Sequence, residues 1–169
     1  MKPGIKILLF CITCTAFISC DRATKELAKV HLKDKLPISY YHDTFRLVYV
    51  ENTGAFLSLG DDWSKTTSLW VFNILPLVFL TALFIYTIRK SNQLSNSIMF
   101  ALALLFSGGM GNIIDRVLFD RHVTDFMNLG INNLRTGIFN FADLYVTTGI
   151  LVILIHQFRK RKTLGAGIN

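Results

Sequence analysis

The chain has 169 residues, enough for a single domain spanning 1–169. With 51% hydrophobic residues, 14 Phe and a mean hydropathy of +0.43, it is too apolar for an ordinary soluble domain, and the question becomes how often it crosses a bilayer. The net charge of +7 would suit nucleic acid, but the cations are spread between chain ends, one connector and mixed-charge loops, which argues against a nucleic-acid-binding face.

Residues 1–20 combine Lys2 and Lys6 with a short apolar run, Ile7–Phe17, and then I-S-C, a pattern that resembles a lipoprotein signal peptide ending at Cys20. Two features predict a retained helix instead. Lys6 can snorkel to the interface, and the helical pattern continues through Thr24, Leu27 and Ala28, with Asp21 and Lys25 at i, i+4 on one face. Cys11, Cys14 and Cys20 all fall in or at the end of this segment; they give no disulfide framework or metal spacing and read as small packing residues.

Leu36 to Gly60 changes texture, mixing aromatic and β-branched residues with partial alternation, and predicts two or more short strands near the membrane surface. Asn52-Thr53-Gly54 punctuates it, and Trp63 and Trp70 mark the approach to the next span as interfacial aromatics. Thr66–Ile88 carries no charge and predicts that span, with a kink at Pro76. Arg89–Ser97 is a short polar connector. Ile98–Ile114 is the next uncharged span.

Val123–Phe139 again has strand texture, with Asn132, Asn133 and Gly137 as turn residues, so the two outer loops are expected to form one sheet. Phe141–Phe158 is the last span, holding Asp143 and a late His156, and a basic tail follows. The fold class is therefore an all-α membrane protein of four transmembrane helices with a small extracytoplasmic β-sheet platform. If the amino end, the connector and the tail share one side, that side holds eight Lys and Arg and no acid, which assigns both termini to the cytoplasm.

The chemistry concentrates between Gly108 and Asp143. Asn112, Asp115 and Arg116 fall at i, i+3 and i+4 of a helix, which predicts that they share one face, behind Gly108, Gly109 and Gly111, which permit close helix approach. Arg116 would supply a fixed positive charge beside carboxylates, with Asp115 helping to orient it. Asn140 and Asp143, at i, i+3, open the last span, either as a helix cap or as part of a site. Asp125 is hemmed by apolar neighbours in V-T-D-F. Polar groups at membrane depth cost several kcal/mol, roughly 2.5–3.5 for an ionised side chain, so they point to function. Two carboxylates brought together can share a proton, one activating water while the other polarises a carbonyl. Spacing leaves open which of Asp115, Asp125 and Asp143 form the pair. A serine mechanism through Ser107 lacks a G-x-S-x-G elbow, and no H-E-x-x-H is present.

On five motifs in order, D-R-A-T-K at 21–25, N-T-G-A-F at 52–56, G-N-I-I-D-R at 111–116, V-T-D-F at 123–126 and F-N-F-A-D at 139–143, the chain resembles the lipoprotein signal peptidases, the signal peptidase II family of membrane aspartic peptidases. The resemblance implies cleavage of lipid-modified bacterial prolipoproteins before the lipidated Cys, at the outer face of the cytoplasmic (inner) membrane, by a multi-pass monomer among membrane lipids and without a cofactor or metal. The family's catalytic aspartates fall on Asp125 and Asp143, and Asp21, Lys25, Asn52, Gly54, Asn112, Arg116 and Asn140 match its supporting positions. Phe56 and Leu57 depart from the commoner N-x-G-A-A-F pattern, a matter of local packing. The rival reading is a small transporter or proton-relay protein using the same buried acids; the clustering of those acids toward one face speaks for the peptidase.

Overall fold

The computed structural model describes residues 2–54 and 59–166, with side chains through residue 160; Phe56 and Leu57 lie outside the described residues. Among the described residues, four helices are long and apolar enough to cross a membrane. They are α1 (Pro3–Leu32), α2 (Lys65–Lys90), α3 (Asn96–Leu118) and α4 (Phe141–Ala166). The expected spans are all present, and α1 greatly exceeds the apolar run that announced it.

Pro3 opens α1 at a position where its missing N–H is no loss. With 30 residues the helix is about 45 Å long at about 1.5 Å per residue, against an apolar layer of about 30 Å. Its last third, from Ala23 through Lys25 to Leu32, therefore extends beyond the hydrocarbon, with Asp21 and Arg22 at the boundary. At the other end Lys6 Nζ donates to the carbonyls of Leu94 (2.7 Å) and Ser91 (3.3 Å), tying the start of α1 to the connector between α2 and α3. Ser64 caps α2 by accepting from the Thr67 N–H, and Ser95 caps α3 by accepting from the Ile98 N–H. The irregularity near Pro76 is a π-helical turn over Trp70–Ile74, just ahead of the residue that cannot donate a helical hydrogen bond.

α3 lies at the centre, packed against the other three helices. A Cβ on Gly108 would come 2.3 Å from the Ala142 carbonyl oxygen of α4, so the two backbones are in direct contact there. Phe10 and Cys14 of α1, Leu83 of α2, and Met99, Leu102 and Ala103 of α3 form the core within the bundle. Cys14 is thus the packing residue expected of it; Cys11 is half-buried and Cys20 exposed.

The segments after α1 and after α3 form one antiparallel sheet in the order β1 (Ile38–Tyr40), β2 (Phe45–Asn52), β3 (Val123–Ile131), β4 (Leu134–Arg135). Between α1 and the sheet, a second core gathers Ala28, Leu32, Phe126, Met127 and Phe139. The β2–β3 register skips a residue: Arg46 faces Asn128 and Leu47 faces Met127, but Val50 faces Asp125. Four residues on β2 thus match three on β3, and Phe126 and Met127 both donate to the Phe139 carbonyl, at 3.1 and 2.9 Å. As a result Asp125 and Asn128, which strict alternation would send to opposite faces, lie on the same face.

Candidate active site

Asp143 is the third residue of α4, and its position is set by the helix start. Its backbone N–H donates to Asn140 Oδ1 (3.0 Å) while its Oδ2 accepts from the Asn140 N–H (3.1 Å), a reciprocal box that satisfies two otherwise free amides. The cap and the site are therefore made by the same two residues. Asn140 is fully buried, and its Nδ2 donates to Asp125 Oδ1 (2.7 Å) and to Asn112 Oδ1 (3.2 Å). Asn52 Nδ2 donates to the other Asp125 oxygen at 3.0 Å, and Asn112 Nδ2 donates to Asp143 Oδ1 at 2.8 Å. Two aspartates, on β3 and α4, are thus held by three asparagines.

Asp125 is 4% exposed. Burial, and then the neighbouring Asp143 charge, push its pKa up from 3.8 to about 7, with the Asn52 and Asn140 hydrogen bonds opposing the rise. The carboxyl is consequently poised between neutral and charged forms near neutral pH.

Arg116 lies beside the pair. Its Nη2 donates to the Gly54 carbonyl at 2.7 Å, its Nη1 donates to the Asn112 carbonyl at 3.2 Å, and its guanidinium carbon lies 5.4 Å from the centre of the Phe72 ring. Gly54 in turn donates its N–H to Asn52 Oδ1 (2.9 Å), so the Asn52–Gly54 turn links the arginine to the amide that holds Asp125. Asn52, Asn112, Arg116, Asp125 and Asp143, with Val123 and Ile138, line a cavity of about 140 Å3.

Behind Asn112 is a buried ionic cluster. Lys25 Nζ lies 2.7 Å from Asp21 Oδ2 and 2.9 Å from Asp115 Oδ2, and donates to Asn112 Oδ1 at 2.9 Å. Asp21 also accepts from the Ala142 N–H at 2.9 Å, and a Cβ on Gly111 would come 2.7 Å from Asp21 Oδ2. That glycine leaves the room in which the carboxylate sits. Lys25, fixed by two carboxylates, holds the Asn112 oxygen and so aims its NH2 at Asp143.

Asp115 corrects one expectation. Rather than orienting Arg116, it pairs with Arg22 and Lys25 of α1 and accepts from the Thr124 N–H at 3.4 Å. Successive residues turn by about 100° around a helix, so positions i+3 and i+4 flank residue i on opposite sides. Asp115 therefore faces α1 while Arg116 faces the cavity. Arg22 was not singled out from the sequence, although an arginine beside Asp21 at a membrane boundary demands an anionic partner. Ser107 is no nucleophile: it is fully buried and donates to the Ala103 carbonyl at 2.6 Å within its own helix. Among the described residues, no three His, Cys, Asp or Glu side chains form a metal-ligating group.

Comparison with known proteins gives a consistent picture. The family model of signal peptidase (SPase) II matches residues 13–159. A lipoprotein signal peptidase of Borrelia duttonii is 38% identical over 131 residues, covering 75% of each chain. One of Borreliella burgdorferi is 34% identical over 169 residues, covering 96% of each. A solved bacterial membrane enzyme, 26% identical, superposes with a TM-score of 0.76 over 92% of this chain and 90% of its own.

Proposed function

The chain belongs to the signal peptidase II family, and on that premise we propose that this multi-pass membrane peptidase, which removes signal peptides from prolipoproteins, works by aspartic catalysis with Asp125 and Asp143 as the pair. The observation that carries the proposal is that the two carboxyls line one cavity and are bridged by a single buried residue, Asn140. With Asp125 poised between its neutral and charged forms near neutral pH, the two carboxyls can act together on a peptide bond. The ionised member takes a proton from water as the water attacks the scissile carbonyl, and the neutral member donates toward the carbonyl oxygen. The proton then passes to the leaving amine of the lipidated Cys. Arg116, fixed by two backbone carbonyls, supplies positive charge where the oxyanion develops.

We further infer a single polytopic domain, acting as a monomer in the inner membrane, with both termini cytoplasmic and the site toward the outer face. The acid-free, Lys- and Arg-rich ends support this orientation. A mostly apolar cavity of about 550 Å3 continues from Asp143 along α4 past Leu144, Val146 and Thr147, giving a lipid-borne substrate a lateral approach from the bilayer. A transporter reading gains no support, since Asp143 stands at a helix start and Asp125 on a strand, at one end of the bundle.

Turnover of a diacylglyceryl-modified precursor by the purified chain tests the assignment. Asp143→Asn is expected to abolish cleavage at matched membrane levels, and the double variant with Asp125→Asn is expected to be no worse than either alone, because the pair acts as a unit. Substantial cleavage by either single variant refutes the pair.

A further inference from the structure

The active-site cavity is not the only one that reaches Asp125. A larger one, of about 510 Å3, starts at Asn52 and Asp125 and runs along the sheet away from the helices, over Val48 and Val50 and under Ile138, to Arg46, Asn128 and Arg135. The register skip between β2 and β3 makes this possible, because it puts Asp125 and Asn128 on one face.

The far end of the cavity carries an excess of positive charge. Arg46 pairs with Asp43, its Nε 2.5 Å from Oδ1. Arg135 Nη1 donates to the Asp43 carbonyl at 2.8 Å and lies 3.3 Å from the same carboxylate. Two guanidiniums thus share one carboxylate. Arg135 is also held rigidly. Its Nε donates to Asn128 Oδ1, and its stem crosses Gly130, where a Cβ would lie 2.5 Å from Arg135 Cγ. Its side chain is only 13% exposed, and its Nη2 is buried without a hydrogen-bond partner. A buried donor left unpaired is destabilising, and an incoming acceptor removes that penalty.

Geometry fixes the part of a substrate that would lie there. Asn128 is three residues from Asp125 on β3, about 10 Å at about 3.3 Å per residue. An extended peptide with its scissile bond at the aspartates covers the same distance in about three residues. The signal segment and the lipid belong to the bilayer, so the segment leaving along the sheet is the one that follows the lipidated Cys.

We propose that this cavity binds the mature-side segment of the prolipoprotein, and that Arg46 and Arg135 make the enzyme favour an acidic side chain two to four residues beyond the cleaved bond over a basic one. The inference rests on the peptidase reading above and adds a specificity determinant to it.

Two synthetic lipidated precursors, identical except for Asp-Asp or Lys-Lys at the second and third residues after the Cys, test it with the purified full chain. The wild type is expected to show about a threefold to fivefold higher kcat/KM on the acidic precursor, the size of a partly exposed ion pair, mostly through KM and shrinking with salt. Arg135→Gln and the more exposed Arg46→Gln should each compress that ratio toward one, Arg135→Lys should keep most of it, and Asp43→Asn should widen it by releasing both guanidiniums. A merely structural role for the arginines would lower both precursors together and leave the ratio unchanged, which overturns the proposal. Equal and efficient cleavage of both precursors by the wild type overturns it too, while leaving the peptidase reading intact. Cleavage of neither precursor overturns both.

Discussion

Replacing Asp125 with Asn tests the electrostatics of the site through stability as well as activity. Burial and the Asp143 charge raise the Asp125 pKa from 3.8 to about 7. Because the folded value lies above the unfolded one, the neutral carboxyl's contribution is complete below about pH 4 and is lost as pH rises to about 7. At about 1.4 kcal/mol per pH unit, ionising Asp125 in place costs the fold about 4 kcal/mol by pH 9. Asn carries no such cost. It does lose one acceptor: Asn52 Nδ2 and Asn140 Nδ2 both donate to the carboxylate, and one of them would face an NH2 group, a loss of about 1 kcal/mol. The variant should therefore be inactive at every pH, about 1 kcal/mol less stable than the wild type at pH 4, and about 3 kcal/mol more stable at pH 9. Unfolding in detergent, followed by the fluorescence of Trp63 and Trp70 at the two pH values, reads the difference. If the order of the midpoints is the same at both, Asp125 does not hold a proton near neutrality and the shared-proton argument fails.

Three other outcomes follow from the packing. Asp115→Asn leaves Lys25 with one carboxylate and Arg22 with none, so folded protein in membranes should fall by the equivalent of about 3–5 kcal/mol; normal accumulation with lost turnover would instead make Asp115 catalytic. Gly108→Ala sets a methyl against the Ala142 carbonyl and should force α3 from α4, costing about 1–3 kcal/mol and loosening Asp143, seen as reduced thermal stability and turnover. Amino-terminal sequencing of the mature protein should find α1 retained, because Asp21 and Lys25 tie it to α3 and α4; a mature start at Cys20 would refute this.

The spans were legible because long uncharged runs have few other uses, and the strands because β-branched and aromatic residues gather between turn residues. The pairing of β2 with β3 followed from similar texture in two separated segments. The register skip did not, since it arises from Phe126 and Met127 both facing the core beneath Phe139, a tertiary demand with no local marker. The candidate residues Asp125, Asp143 and Asn140 are legible as polar groups among apolar neighbours. Spacing alone groups Asp115 at i+3 with Arg116 at i+4, whereas a partner on α1 decides which way each one turns. Arg46 and Arg135 carry no local marker in the sequence; only the fold brings them to one carboxylate.

The ionic cluster on α1 also bears on how the molecule is made. Arg22 and its partner Asp115 are 93 residues apart, so at roughly 5–20 residues per second a ribosome needs about 5–20 s after making the arginine to deliver the carboxylate. During that interval Lys25 has Asp21 on its own helix, but Arg22 has no assigned partner until α3 emerges. The first helix is therefore born incomplete, and a nascent chain halted before Asp115 should remain a substrate for membrane quality control.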